Sequence, residues 1–245
     1  MKFFKKILKK FLPSSVYKIL SFCLINTVEY LKYNSLNHEE TFKKIYFKKK
    51  WGNKNIHKFY SGDGSHISYI IRPYIKKITE FIKTLKKPII IDAGCGDFNV
   101  GKNFVLYSKK YYAYDVFDEI IKLNKQKFNF KNLTFEKKNI VISKLPFCDI
   151  LIIRQVLQHL SNTDIKMFLQ NIHIKTKYLL VTEHYPSCYF KENKNKPKGE
   201  GLRYKSAVIL HKKPFDLKYI YKKNILRVKA YPDKGYINSI LYKLK

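Results

Sequence analysis

The stretch IIIDAGCGDFNVGKNF, residues 89–104, decides how the rest of the chain is read. Three isoleucines run into Asp92 as they would in a buried strand, and Gly94 and Gly96 then bracket Cys95. A glycine at the end of a strand lets the backbone turn sharply and approach a ligand closely, because no Cβ stands in the way. The pattern points to a ligand held at the mouth of a strand.

Outward from this motif the chain alternates. Apolar residues from Ile67 to Leu85 keep a helical period through Pro73, which either kinks that helix or begins it. Residues 89–92 read as the first strand, 100–109 as a helix, 111–115 as a second strand, 117–127 as a helix and 133–136 as a third strand. CDILIIRQ, residues 148–155, is a continuous apolar run, as expected of a central parallel strand covered on both faces. Ser161 and Asp164 have capping-box spacing, and a helix follows. Residues 177–184 read as a fifth strand, 185–204 as a polar loop, and 206–210, 225–230 and 236–243 as further strands, the last after a Pro-Asp-Lys-Gly turn. This order predicts an α/β fold with a doubly wound, mostly parallel seven-stranded sheet over residues 59–245, preceded by a basic helical extension over 1–58. Sheets of this kind bind ligands at the C-terminal ends of their strands.

The residues around the glycines narrow the ligand. Dinucleotide folds place a third glycine or alanine at a helix start, where a pyrophosphate meets the helix dipole. Here that place holds Phe98. Asp92, just before the first glycine, would repel a pyrophosphate but suits an ammonium group. Asp115 lies 23 residues after Asp92, the usual interval for an acid that binds ribose hydroxyls. A ligand with a ribose, a cationic part and no phosphate is S-adenosylmethionine.

At this point the sequence resembles the class I S-adenosylmethionine-dependent methyltransferases. DAGCGD looks like their first motif, YDV like their ribose-binding acid, and KNI like the segment after strand three that faces the adenine. YSGDGS, RQVLQHLSN, LLVTEH, NKNKPKGEGLR and KKPFDL together resemble one bacterial subfamily, often assigned to modification of surface polysaccharides or related sugars. The resemblance implies that Asp92, Gly94 and Gly96 line the methionine part, that Asp115 binds the ribose, and that Asn139 meets the adenine amino group through its side-chain carbonyl. Asn139 stands where the wider family often has an acid. Asn193 and Asn195 stand where the subfamily's loop often reads Asn-x-Asp.

Methyl transfer needs an acceptor in line with the methyl group and a base for its proton. The ends of strands four and five offer Arg154, Gln155, Gln158 and His159, then Glu183 and His184. Histidine is the usual base for a hydroxyl. His159 lies between apolar neighbours, as a structural histidine would. Glu183 and His184 are adjacent, so on a regular strand only one of them faces the acceptor. Arg203, in the polar loop, is a candidate for binding a carboxylate or phosphate on the acceptor.

The net charge of +32 suggests a nucleic-acid partner, but only four of the 50 basic residues are arginines. Lysine, asparagine, isoleucine, tyrosine and phenylalanine are abundant together and share AT-rich codons, which accounts for much of the charge. An RNA methyltransferase is therefore the alternative rather than the leading reading, and no Asn/Asp-Pro-Pro-aromatic signature supports it. A membrane-attached binding protein that only keeps the fold is a third reading, against which the intact glycine motif argues. The expected partner is a small-molecule or glycan acceptor. The four cysteines have neither paired nor metal-type spacing, which predicts a reducing cytoplasm and no metal. Residues 1–12 read as a basic amphipathic helix that either packs on the domain or lies at the inner face of a membrane; the apolar run at 19–28 is too short to span one.

Overall fold

The structure, a computed structural model, describes residues 12–52, 58–187, 189–230 and 235–245. The amphipathic stretch 1–12, except Leu12, and most of the Pro-Asp-Lys-Gly turn lie outside the described residues. Five helices and seven strands follow in order among them. The helices are α1 (Ser14–Tyr33), α2 (His38–Phe47), α3 (Ser68–Thr84), α4 (Asp118–Lys127) and α5 (Asn162–Asn171). The strands are β1 (Ile89–Ala93), β2 (Lys110–Asp115), β3 (Leu133–Lys137), β4 (Ile150–Arg154), β5 (Tyr178–Tyr185), β6 (Tyr221–Lys229) and β7 (Tyr236–Lys243). One sheet holds all seven strands in the order β3-β2-β1-β4-β5-β7-β6. Every pairing is parallel except those of β7, which runs antiparallel to both β5 and β6.

β4 lies between β1 and β5, and Ile150, Leu151, Ile152 and Ile153 are all buried. Both faces of the strand are covered, which is why its sequence is apolar throughout rather than alternating. One cluster behind the sheet joins Ile91, Leu151 and Ile153 with Tyr33, Phe42 and Ile45 of α1 and α2. The other joins Ile90, Ile150 and Ile152 with Tyr74, Ile78 and Ile82 of α3. α2 opens with a reciprocal cap between Asn37 and Glu40, and α5 with one between Ser161 and Asp164.

Two expected elements are absent. Residues 100–109 form no helix but two short 3₁₀ turns, Gly101–Asn103 and Val105–Tyr107. Val100, Gly101 and Asn103 are poor helix formers, and the Asn103 side-chain amide donates to the carbonyls of Asn99 and Val100. Residues 206–210 are not a strand, although Ala207, Val208 and Leu210 are buried. The Asn193 side chain takes the place of a neighbouring strand. Its Oδ1 accepts the Ile209 N–H at 2.8 Å, and its Nδ2 donates to the carbonyls of Ile209 at 2.9 Å and Lys213 at 2.8 Å. Pro73 lies inside α3, five residues after its first residue Ser68, so the helix does not begin at the proline.

Candidate active site

A cavity of about 340 Å³ opens at the C-terminal ends of β1, β2 and β4. The first expected group, Asp92, Gly94, Gly96, Asp115 and Asn139, lines it. Gly94 and Gly96 have φ values of 83° and 55°, a region that disfavours side chains. A Cβ on Gly94 would stand 2.4 Å from Val156 Cγ2, and one on Gly96 2.3 Å from Ser61 Oγ. The glycines therefore let two neighbouring loops close onto the end of β1. The absence of a helix after them leaves no helix N-terminus aimed at a phosphate, which agrees with the acidic character of this end.

Asp115 closes the loop itself. Its Oδ2 accepts the Gly96 N–H and its Oδ1 the Phe117 N–H, both at 3.0 Å. Burial raises its pKa, against the pull of those donors. Burial also pushes the Asp92 carboxyl up to about 7, although the Tyr111 hydroxyl donates to its Oδ2 at 3.0 Å and Arg154 lies nearby. Asn139 Oδ1 accepts the Val141 N–H at 3.0 Å. The atom expected to meet an adenine amino group is thus already holding its own turn and has one acceptor site left.

Arg154, Gln155, His159 and His184 also line the cavity. Arg154 is half-buried against the Tyr74 ring and donates to Ser65 Oγ at 3.0 Å and to the Gly64 carbonyl. It holds the loop 61–65 in place. Glu183 and Arg203 are not on the cavity wall. The strand alternation turns Glu183 under the turn after β4, where its carboxylate accepts the N–H groups of Val156, Leu157 and Gln158 at 3.2, 2.9 and 3.0 Å. Burial pushes it up to about 8. Arg203 is buried, and burial lowers it to about 10; its guanidinium donates to Asn162 Oδ1 at 2.8 Å, to the Leu160 carbonyl at 2.6 Å and to the Lys194 carbonyl. It ties the 194–203 loop to the start of α5 instead of facing an acceptor.

His159 is held on both ring nitrogens. Nδ1 lies 3.2 Å from the Gly199 carbonyl, so it carries the proton, and Nε2 accepts from the Gln158 amide at 3.2 Å. Gln158 Oε1 accepts the His184 N–H at 3.0 Å. Burial lowers His159 to about 3, so it is neutral at ordinary pH and a poor base.

The sequence reading did not place several cavity residues. Tyr46, Trp51 and residues 61–65 form one wall. Tyr46 stacks on Phe117 at 5.2 Å, and Trp51 packs against His159 at 5.0 Å. Trp51 is the chain's one tryptophan, in a lysine-rich stretch, and YSGDGS is punctuated by two glycines. Neither signal said which strand end the loop would cover.

No family model matches this sequence, and no curated protein sequence matches it. Solved structures do match in fold. Human N-acetylserotonin methyltransferase, solved in complex with SAM, superposes with a TM-score of 0.56 at 15% identity over 95% of this chain and 68% of that one. TehB from Haemophilus influenzae superposes at 0.51 and 14% identity, over 83% of this chain and 67% of that one. The DhpI–SAH complex superposes at 0.51 and 8% identity, over 74% of this chain and 89% of that one. The chain spans 61% of the length of a dimethyladenosine transferase from Plasmodium falciparum, with a TM-score of 0.48. The fold is that of the class I S-adenosylmethionine-dependent methyltransferases.

The hydrogen bonds of His159 assign it to the scaffold. His159→Ala should leave the Gly199 carbonyl and the Gln158 amide without partners and lower stability by about 2–4 kcal/mol. Thermal melts of the parent and the variant would measure the loss, and an unchanged melting temperature would remove the assignment.

Proposed function

We propose that the protein is an S-adenosylmethionine-dependent methyltransferase that methylates a hydroxyl of a sugar or surface-glycan precursor. The observation that carries the cofactor reading is the pair of buried acids, Asp92 and Asp115, on one cavity wall at the ends of adjacent strands β1 and β2. Asp92 suits a cationic group and Asp115 a ribose hydroxyl, and the human methyltransferase of like fold was solved with SAM. The bound cofactor would supply a methyl group on a sulfonium. Asn139 would face the adenine, and Gly94 and Gly96 the methionine part.

The acceptor reading rests on His184, at the end of β5, which lines the cavity together with Gln155 and Trp51. A half-buried histidine at a strand end can take a hydroxyl proton. Arg154 lines the same cavity while it holds the 61–65 loop. Among the described residues, Lys138 and Arg154 are the only lysine and arginine that line the cavity. A channel for RNA would carry its cations along the path of the backbone phosphates. The small, mostly uncharged wall favours a small acceptor. The sugar assignment itself comes from the subfamily resemblance.

Calorimetry with S-adenosylmethionine tests the cofactor reading. The purified protein should bind it, and Asp115→Ala should weaken binding by about 1.5–3 kcal/mol. Asp92, raised to about 7 by burial, must ionise to meet a cation. Affinity should therefore strengthen as pH rises from about 6 to about 8, with proton release on binding, and Asp92→Asn should flatten that dependence. No binding by the parent protein would end the methyltransferase reading.

Methyl transfer to a panel of nucleotide sugars tests the base. His184→Ala should lower turnover by about 10²–10⁴ while cofactor affinity stays nearly constant. Near-normal turnover in a folded variant would show that another group accepts the proton.

A further inference from the structure

Helix α1 carries an apolar stripe that the rest of the described protein leaves uncovered. Val16, Leu20, Cys23, Thr27, Tyr30 and Leu31 fall along one side of the helix, recurring at spacings of three and four residues, and all are exposed. Leu20 is 44% exposed, Tyr30 51% and Leu31 72%. No charge interrupts the stripe.

The other side of the helix is fixed to the protein. Glu29 is buried, accepts the Gly201 N–H at 2.6 Å and lies 3.3 Å from the Lys196 ammonium. Tyr33 is buried and its hydroxyl donates to Glu200, which also pairs with Lys32 at 2.8 Å. The stripe is thus held outward, and the loop that holds it, through Glu200 and Leu202, lines the cavity. In sequence, KFFKKILKKFL at residues 2–12 comes just before the helix, with five lysines, six apolar residues and no acid.

We propose that α1 docks the protein on an anionic membrane surface. Apolar side chains enter the boundary between headgroups and acyl chains, and the adjoining lysines meet the negative headgroups. Both features sit on consecutive stretches of this chain, and together they give the two signals that stable surface attachment needs. No helix among the described residues is long and apolar enough to cross a membrane, so the helix lies on the surface. A second copy of the chain would also cover the stripe. A parallel pair would, however, bring two five-lysine segments together on chains that each carry +32, whereas an anionic bilayer neutralises that charge. Docking requires neither cofactor nor acceptor, so it stands or falls apart from the methyltransferase reading.

Co-sedimentation of the full chain with vesicles tests the proposal, using phosphatidylcholine alone and phosphatidylcholine with a third phosphatidylglycerol. The parent should bind the anionic vesicles and not the neutral ones. Leu20→Glu combined with Leu31→Glu should lower that affinity at least about tenfold with an unchanged melting temperature, because both side chains are exposed. Leu31→Glu alone, at the most exposed position, should lower it in the same direction and serves if the double variant melts early. Binding equal to the parent's in a folded variant would overturn the proposal, since the basic segment alone would then account for it. Failure of the parent to bind anionic vesicles would also overturn it, as would a dimer in solution that the substitutions dissociate while vesicle binding is unchanged.

Discussion

The Glu183 carboxylate, at the end of β5, is almost out of reach of solvent, and the wall of the cavity beyond β4 is organised around it. A buried carboxylate is costly unless donors surround it. Three consecutive backbone N–H groups of the turn after β4 supply them, and Arg203 adds a favourable charge from farther off. Each of those N–H groups would otherwise be an orphan at the start of a short 3₁₀ turn. The interaction fixes the turn, and the turn fixes Gln158 and His159. From there the hydrogen bonds pass to the Gly199 carbonyl, and the same loop reaches Glu29 and Tyr33 of α1. A low-dielectric interior strengthens each step and penalises any gap. The sheet, the polar loop and the first helix therefore form one wall.

The cavity's charge runs against that of the chain. A protein with a net charge of +32 brings two buried carboxylates, Asp92 and Asp115, to its central cavity and leaves most of its lysines elsewhere. Burial raises both acids, and Asp92, pushed up to about 7, is a group near neutral pH that a cationic ligand would ionise. The overall charge and the local charge answer different questions. The first governs long-range attraction to surfaces and polyanions, and the second governs what is bound inside.

The N-terminal 58 residues look separable in the sequence because they are lysine-rich and lack the strand–helix alternation. In three dimensions Tyr33, Phe42 and Ile45 share a core with β1 and β4, and Tyr46 and Trp51 stand on the cavity. Beyond their contacts with one another, Tyr46 and Trp51 pack against Phe117 and His159, each more than 40 positions away.

The alternation of apolar runs and turn signals is enough, by itself, to give the α/β class, the central strand β4 and the strand end where the cavity opens. Those features depend on local periodicity and on glycines that act where they stand. The same holds for Asp92 and Asp115, whose spacing follows from one strand–turn–strand unit. Residues 100–109 break into short turns for local reasons, the weak helix formers Val100, Gly101 and Asn103 and the Asn103 amide's bonds to carbonyls three and four residues back, which the apolar pattern alone does not register. The sequence could not show that 206–210 would pair with the Asn193 side chain, since an apolar run looks the same whether a strand or an amide satisfies its backbone. Nor could it assign the candidate polar groups their directions. Glu183 and Arg203 turn inward because of hydrogen bonds to backbone atoms distant in the chain, while the alternation along β5 leaves His184 on the cavity, and only tertiary structure brings those backbone atoms within reach.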